Sequence, residues 1–290
     1  MTASPTVAST VVITGASTGI GAACALDLAA RGFRVFAGVR RDADGAALRA
    51  RAAAITPLPL EVTDAASIAA AVATVSTAVG GHGLGGLVNN AGIAAGGPLE
   101  VLPLAEVRRL FEVNVFGALA VTQGFLPLLR TARGRVVNMG SIAGRVALPF
   151  IGPYSMSKAA LASMSDALRL ELDAWGIEVA LVEPGAIATP IWKKSTAAAD
   201  ALQATVRHDV LALYRAHLDC IRAVIADAEQ RAIPAQAVAD AVAHALTAPR
   251  PNTHYLVGAD ARFRAGLAAL LPQRLQDALH RWFLKFPRRR

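Results

Sequence analysis

The feature that most constrains this chain is an alternation of two kinds of segment over its first 184 residues. Short runs rich in β-branched and apolar residues occur at 10–14, 34–39, 57–62, 86–89, 135–139 and 178–183. Between them lie Ala- and Leu-rich stretches of helical length at 20–30, 42–54, 65–78, 104–130 and 154–175. Strands this apolar are buried on both faces, and long helical crossovers join strands that run parallel. The pattern therefore predicts a doubly wound parallel α/β sheet covered by helices on both sides. Local punctuation agrees: Gly32 ends the first helix, and Asp42 and Asp64 are placed to cap the next two.

After Pro184 the rhythm changes. Residues 197–229 read as one or two amphipathic helices, 235–247 as another, and 254–257 as a last strand. Residues 264–286 are helical with a break at Pro272. With no internal repeat or flexible linker, we expect one catalytic domain over 1–261, including substrate-side helices at about 190–233, and a basic amphipathic tail over 262–290.

Apolar residues make up 54% of the 290, yet no stretch reads as a membrane span, which takes roughly 20 mostly apolar residues in a row. The segment MTASPTVAST lacks the basic and apolar regions of a secretory signal. Two cysteines, Cys24 and Cys220, make no disulfide framework, so a cytoplasmic setting is expected. The net charge of +8 is concentrated in the tail: residues 262–290 hold eight basic side chains and one acid, Asp277.

Directly after the first strand comes Thr14-Gly15-Ala16-Ser17-Thr18-Gly19-Ile20-Gly21, followed by a helix. Glycines let bare backbone approach a pyrophosphate, and the helix N-terminus offers N–H groups and partial positive charge. At the end of the second strand, where dinucleotide-binding folds often carry an acid for the adenosine ribose, stand Val39, Arg40 and Arg41. A guanidinium pairs with a 2′-phosphate, whereas a carboxylate repels it. NADP(H) is therefore expected over NAD(H), with Arg40 as the main phosphate ligand and Arg41 beside it.

Tyr154 and Lys158 lie four apart on a predicted helix and so share a face. A free phenol has a pKa of about 10. The neighbouring ammonium, with the positive ring of an oxidised cofactor, would favour the phenolate. Ser141, at the end of the fifth strand, is placed to hydrogen-bond a substrate oxygen.

The motif T-G-x-x-x-G-I-G, Asn89-Asn90-Ala91-Gly92, Asn114, Ser141, Tyr154-x-x-x-Lys158 and Pro184-Gly185 occur in an order that resembles the short-chain dehydrogenase/reductase family over about residues 8–258. Val35-Phe36-Ala37-Gly38-Val39-Arg40 and Pro184-Gly185-Ala186-Ile187-Ala188-Thr189 are similar to the branch of 17β-hydroxysteroid and retinol dehydrogenases. The resemblance implies a Rossmann-type fold and a catalytic set of Asn114, Ser141, Tyr154 and Lys158. Lys158 would also bind the nicotinamide ribose, and Asn114 would hold a water in the proton relay. For the cofactor it implies Gly15, Ser17, Thr18, Gly19, Ile20 and Gly21 at the phosphates. Asn89, Ala91 and Gly92 would line a ribose, and Pro184, Gly185, Ile187 and Thr189 the nicotinamide end. Glu61 stands where the family commonly has Asp near the adenine, and the longer carboxylate still reaches the base, with Val62 beside it. It further implies a homodimer or homotetramer.

Val146, Leu148, Phe150, Ile151, Ile191 and Trp192 surround the expected site with little charge, which suits a small hydrophobic alcohol or carbonyl substrate. A ketoacyl-thioester reductase is the competing enzyme, and a non-catalytic NADP-binding regulator the competing class, although a regulator would be expected to have lost Tyr154 or Lys158. The six histidines form no metal-ligand spacing. In the tail, Leu275, Leu279, Trp282, Phe283 and Phe286 recur at helical spacing among basic residues. That suits a helix docked on its own domain, or one lying on an anionic inner-membrane surface. Arg288-Arg289-Arg290 comes with no nucleic-acid module, so no specific nucleic acid is expected.

Overall fold

The computed structural model describes residues 10–203 and 206–287; the N-terminal segment and Arg288 to Arg290 lie outside the described residues. Seven parallel strands form one sheet: β1 (Thr10–Ile13), β2 (Arg34–Val39), β3 (Ile55–Pro59), β4 (Gly86–Asn89), β5 (Arg135–Met139), β6 (Glu178–Pro184) and β9 (His254–Val257), in the order β3-β2-β1-β4-β5-β6-β9. The order reverses at β1, so β1 and β4 splay their outgoing loops to opposite sides and leave a crevice at their C-terminal ends. A second, two-residue pairing joins β7 (Ile187–Ala188) to β8 (Ile233–Pro234).

Successive side chains of a strand point to opposite faces, and the core divides accordingly. Val11 and Ile13 join Leu28, Val137 and Val242 on one face, under α1 (Gly19–Ala30) and α9 (Gln236–Thr247). Val12 joins Phe36, Leu87, Val121 and Phe125 on the other, under α3 (Ala65–Val79), α5 (Ala118–Ala132) and α6 (Gly152–Leu172). The fold class is as the alternation predicts.

Several boundaries differ, each for a local reason. β3 begins at Ile55 and carries Pro57 and Pro59, which an edge strand tolerates because its outer N–H groups have no partner. Asp42 is the first residue of α2 (Asp42–Arg51), and Arg41 is its cap position; the acid instead favours the first turn through the helix dipole. Asp64 does cap α3, accepting the Ala66 N–H at 3.0 Å. The expected helix over 104–130 is α4 (Leu104–Phe111) and α5 joined by a π-helical turn, Glu112–Gly117. The substrate-side segment is two helices, α7 (Ile191–Gln203) and α8 (His208–Gln230).

Two helical stretches, Ala65–His82 and Leu104–Ala132, are long and apolar enough to cross a membrane by composition, which corrects the expectation that none is. In the fold Val75, Phe125 and Leu129 of these stretches bury against the sheet, whereas Leu104 and Phe116 face outward. The tail boundary at 261 falls inside α10 (Ala259–Leu270), whose Ala261 is fully buried near Ile142 and Val146. Beyond it, α11 (Gln273–Phe283) is tied to α10 by Gln276, which donates to the Ala268 and Leu271 carbonyls.

Candidate active site

A cavity of about 1460 Å³ opens along the C-terminal ends of β1, β2, β4, β5 and β6. One end is the glycine turn. Gly15 sits at φ +62°, and a Cβ there would stand 2.8 Å from the Ala91 Cα, so only glycine lets the β1 and β4 loops close together. Thr14 and Asn90 hold them in register. The Thr14 hydroxyl accepts the Asn90 and Ala91 N–H groups at 3.0 and 2.9 Å. Asn90 Nδ2 donates to the Thr14 and Gly15 carbonyls at 2.9 and 3.0 Å.

The turn suits a pyrophosphate on two observations. Thr18, the cap residue of α1, makes no side-chain capping bond, so its hydroxyl and the first N–H groups of the helix stay available. No acid lies in the first turn of α1. Gly15, Ser17, Thr18, Gly19 and Ile20 line the cavity, whereas Gly21 lies behind the turn, against Asn90.

At the adenosine end, Arg40, Glu61 and Val62 line the cavity. The Arg40 guanidinium is 75% exposed, and its nearest carboxylate is Glu61 at 3.6 Å. Arg41 departs from its expected place: it forms a two-point pair with Asp44 at 2.9 and 2.7 Å and does not line the cavity. Its position three before Asp44, at the entry of α2, favours that local partner.

Asn89 departs too. Its side chain is buried under the sheet, with Nδ2 donating to Thr122 Oγ1 and Asn138 Oδ1, both at 2.8 Å. Asn90, Ala91 and Gly92 line the cavity instead.

Tyr154, Lys158, Ser141 and the Pro184-Gly185 corner meet at the middle of the cavity. Ser141 lies two residues past the end of β5 and caps a single 3₁₀ turn, its Oγ accepting the Ala143 N–H at 3.1 Å. Gly144 in that turn approaches the Lys158 backbone so closely that a Cβ would stand 2.9 Å from its carbonyl carbon. This contact sets Ser141 over the Tyr154 face of α6.

The buried Lys158 ammonium donates to the Met139 carbonyl at 2.7 Å and lies 5.7 Å from the centre of the Tyr154 ring. Burial lowers its pKa to about 8. Burial likewise raises the Tyr154 pKa, with the Ser141 hydroxyl opposing it. Desolvation thus disfavours both charged forms in the free protein, and the positive ring of an oxidised cofactor, the other half of the expectation, acts only once the cofactor is bound.

Asn114 is buried in the π-helical turn, facing Gly92. Its Oδ1 accepts the Ile93 N–H at 2.8 Å, and its Nδ2 donates to the Ile93 carbonyl at 2.9 Å and to Ser157 Oγ at 3.0 Å. Ser157 Oγ in turn donates to the Tyr154 carbonyl at 2.8 Å. Asn114 therefore clamps the β4 loop to α6.

Two further residues escape the sequence reading. Asp260 accepts the Ala186 N–H at 3.0 Å and fixes the corner after β6. Glu183, 1% exposed, takes two bonds from Arg145 at 2.6 and 2.7 Å and meets His254 at 2.9 Å. That pair ties the Ser141 turn to β6 and β9. Among the described residues no cluster could hold a metal.

The sequence pattern of the family described as short chain dehydrogenase matches residues 9–200. The chain belongs to that family. It is 35% identical to the NADPH-dependent 3-dehydrocapnine reductase of Ornithobacterium rhinotracheale, over 92% of this chain and 94% of that one. It is 37% identical to retinol dehydrogenase 5 of Mus musculus, over 96% of this chain and 89% of the relative. A short chain dehydrogenase from Burkholderia cenocepacia J2315 in complex with NADP superimposes with a TM-score of 0.71 at 28% identity, covering 96% of this chain and 98% of that structure.

Proposed function

We propose that this member of the family is an NADP(H)-dependent oxidoreductase that interconverts a hydrophobic alcohol and its ketone or aldehyde, with Tyr154 as the general acid and base. The observation that carries this reading is the meeting of Ser141, Tyr154 and Lys158 in the same cavity as an acid-free glycine turn and an exposed Arg40. The NADPH-dependent relative and the NADP-bound neighbour support the cofactor assignment.

Gly15, Ser17, Thr18, Gly19 and Ile20 would hold the pyrophosphate, Arg40 a 2′-phosphate, Asn90, Ala91, Gly92 and Lys158 the nicotinamide ribose, and Pro184, Gly185, Ile187 and Thr189 the ring. Bound NADPH supplies the hydride. The chain's own residues handle the proton. Ser141 donates a hydrogen bond to the substrate oxygen, where negative charge grows. Tyr154 gives its phenolic proton to that oxygen in reduction and takes it back in oxidation. Lys158, held by the Met139 carbonyl, keeps positive charge beside the phenol. Asn114 holds the β4 loop and α6 at a fixed separation.

The test is a panel of free ketones, aldehydes, alcohols and acyl thioesters run with NADPH and NADH. The expected result is NADPH-linked turnover of apolar free carbonyl compounds. Tyr154→Phe should lower kcat by about 10² to 10⁴ while NADPH still binds. Equal turnover by that variant would remove Tyr154 from the role, and preference for thioesters would favour the ketoacyl reductase reading.

We read the molecule as a cytoplasmic homo-oligomer. A groove of about 670 Å³ between α3 and α5, lined by Ile68, Val72 and Phe116, offers a self-association face. The tail docks through Leu284, which is 2% exposed, yet it turns Trp282 outward at 77% beside Arg281. That outward face suits an anionic bilayer, and co-sedimentation with anionic against neutral vesicles tests it.

A further inference from the structure

At the end of the cavity remote from the glycine turn stands a cation that the hydride reaction does not use. Arg264 lies on α10, which follows β9, the sheet edge opposite β3. Five strand spacings of about 4.8 Å separate β9 from β2, so the strand that leads into Arg264's helix lies roughly 24 Å across the sheet from the strand that Arg40 follows. It is therefore not placed for the 2′-phosphate. The side chain is partly buried, lines the cavity, and among the described residues makes no ion pair or hydrogen bond.

The acids that share the lining are committed elsewhere or out of range. Asp260, one turn earlier, holds the Ala186 N–H. Asp200 pairs with Arg222 at 3.0 Å. Glu229 makes no ion pair with Arg264. The same cavity is also lined by the buried apolar side chains Leu218, Ile221 and Leu284. On α11, burial first and then the Arg264 charge lower the His280 pKa, against the opposing pull of Asp277.

A partly buried guanidinium in a largely apolar cavity is costly unless an anion meets it. Carboxylate, sulfonate and phosphate groups all match its planar fork. We propose that Arg264 anchors an anionic head group of the substrate, so that the preferred substrate is an amphiphile. Its apolar chain fills the space along Leu218, Ile221 and Leu284, its reacting carbon lies at Tyr154, and its oxyanion lies at Arg264. This rests on the oxidoreductase reading above and names the substrate class for that same cavity.

Oxo acids of graded chain length and their methyl esters, reduced with NADPH, test it. The parent should prefer the acid at one chain length by about ten- to a hundred-fold in kcat/KM, the worth of a charge-assisted bond. In Arg264→Ala that ratio should fall close to one through a higher KM for the acid, and Arg264→Lys should keep part of it. Independently of turnover, dodecanoate should quench tryptophan emission, since Trp192 lines the cavity. Methyl dodecanoate should do so far less, and Arg264→Ala should erase the difference. Equal use of acid and ester by the parent, or an unchanged ratio in Arg264→Ala, overturns the head-group site alone. If the parent reduces neither acid nor ester while dodecanoate binding still depends on Arg264, the anion site stands and the oxidoreductase reading falls.

Discussion

The two ends of the cavity are built by different physics. At the cofactor end, short polar side chains fix backbone to backbone: Thr14 and Asn90 cross-link the β1 and β4 loops, and Asn114 clamps Ile93. Hydrogen bonds are directional, so each such contact requires one residue type at one place. At the substrate end, α7 and α8, the Phe150 loop and the tail meet largely through apolar and aromatic contact. Phe150 packs edge-on against Tyr214 and Phe286 at 6.0 and 6.1 Å. Apolar contact is non-directional and accepts many combinations of similar volume. One end is therefore specified by identity, the other by shape.

Four substitutions and titrations probe that contrast. The largest expected effect belongs to neither end. Arg145→Ala leaves the buried Glu183 carboxylate with His254 as its remaining partner, which costs about 3 kcal/mol and lowers the melting temperature by roughly 10 °C. A thermal melt within a degree or two of the parent would show that the pair is not what joins the Ser141 turn to β6.

At the cofactor end, Arg40→Ala should weaken NADPH by about ten- to a hundred-fold and leave NADH nearly unaffected, as read by fluorescence titration. Equal loss for both would place Arg40 away from the 2′-phosphate. At the substrate end, Leu218→Ala should reorder kcat/KM among apolar carbonyls by about ten-fold without changing NADPH affinity. A changed NADPH affinity would mean that the two ends are coupled.

The smallest effect is a titration. Because burial holds Lys158 at about 8, the folded protein sheds this proton before the unfolded chain does. The charged lysine therefore costs stability below about pH 8, and that cost fades as pH rises toward the ordinary value of 10.5. Cofactor affinity, if it uses the ammonium, should fall by up to about ten-fold per pH unit above 8. Lys158→Met should flatten the profile, and a slope that survives in that variant excludes the lysine as its source.

The contrast also explains what could be read from the sequence. The sheet was legible because its strands are continuously apolar and its helices have ordinary length. The glycine turn, Ser141, Tyr154 and Lys158 were legible because they form local patterns on those elements, and all four line the cavity. Asn89 and Asn90 show the limit: neighbours in one motif, one buried below the sheet and one facing the cavity, with only strand phase to tell them apart. Arg41 was captured by Asp44, a competing partner three residues away. Leu284 and Arg264 left no local signal, since they reach the cavity only when the tail folds back across the sheet edge. The π-helical turn was hidden because one extra residue barely disturbs an apolar period.

That turn has a consequence for how the chain can change. Between Glu112 and Gly117 the helix holds a residue more than a regular ladder accommodates, and Asn114 owes its aim to the surplus. Deleting one residue there would let the helix regain ordinary pitch while swinging the amide off Ile93. Selection for thermal robustness and selection for turnover would then pull this stretch in opposite directions, so its length, more than its composition, is what the lineage must guard.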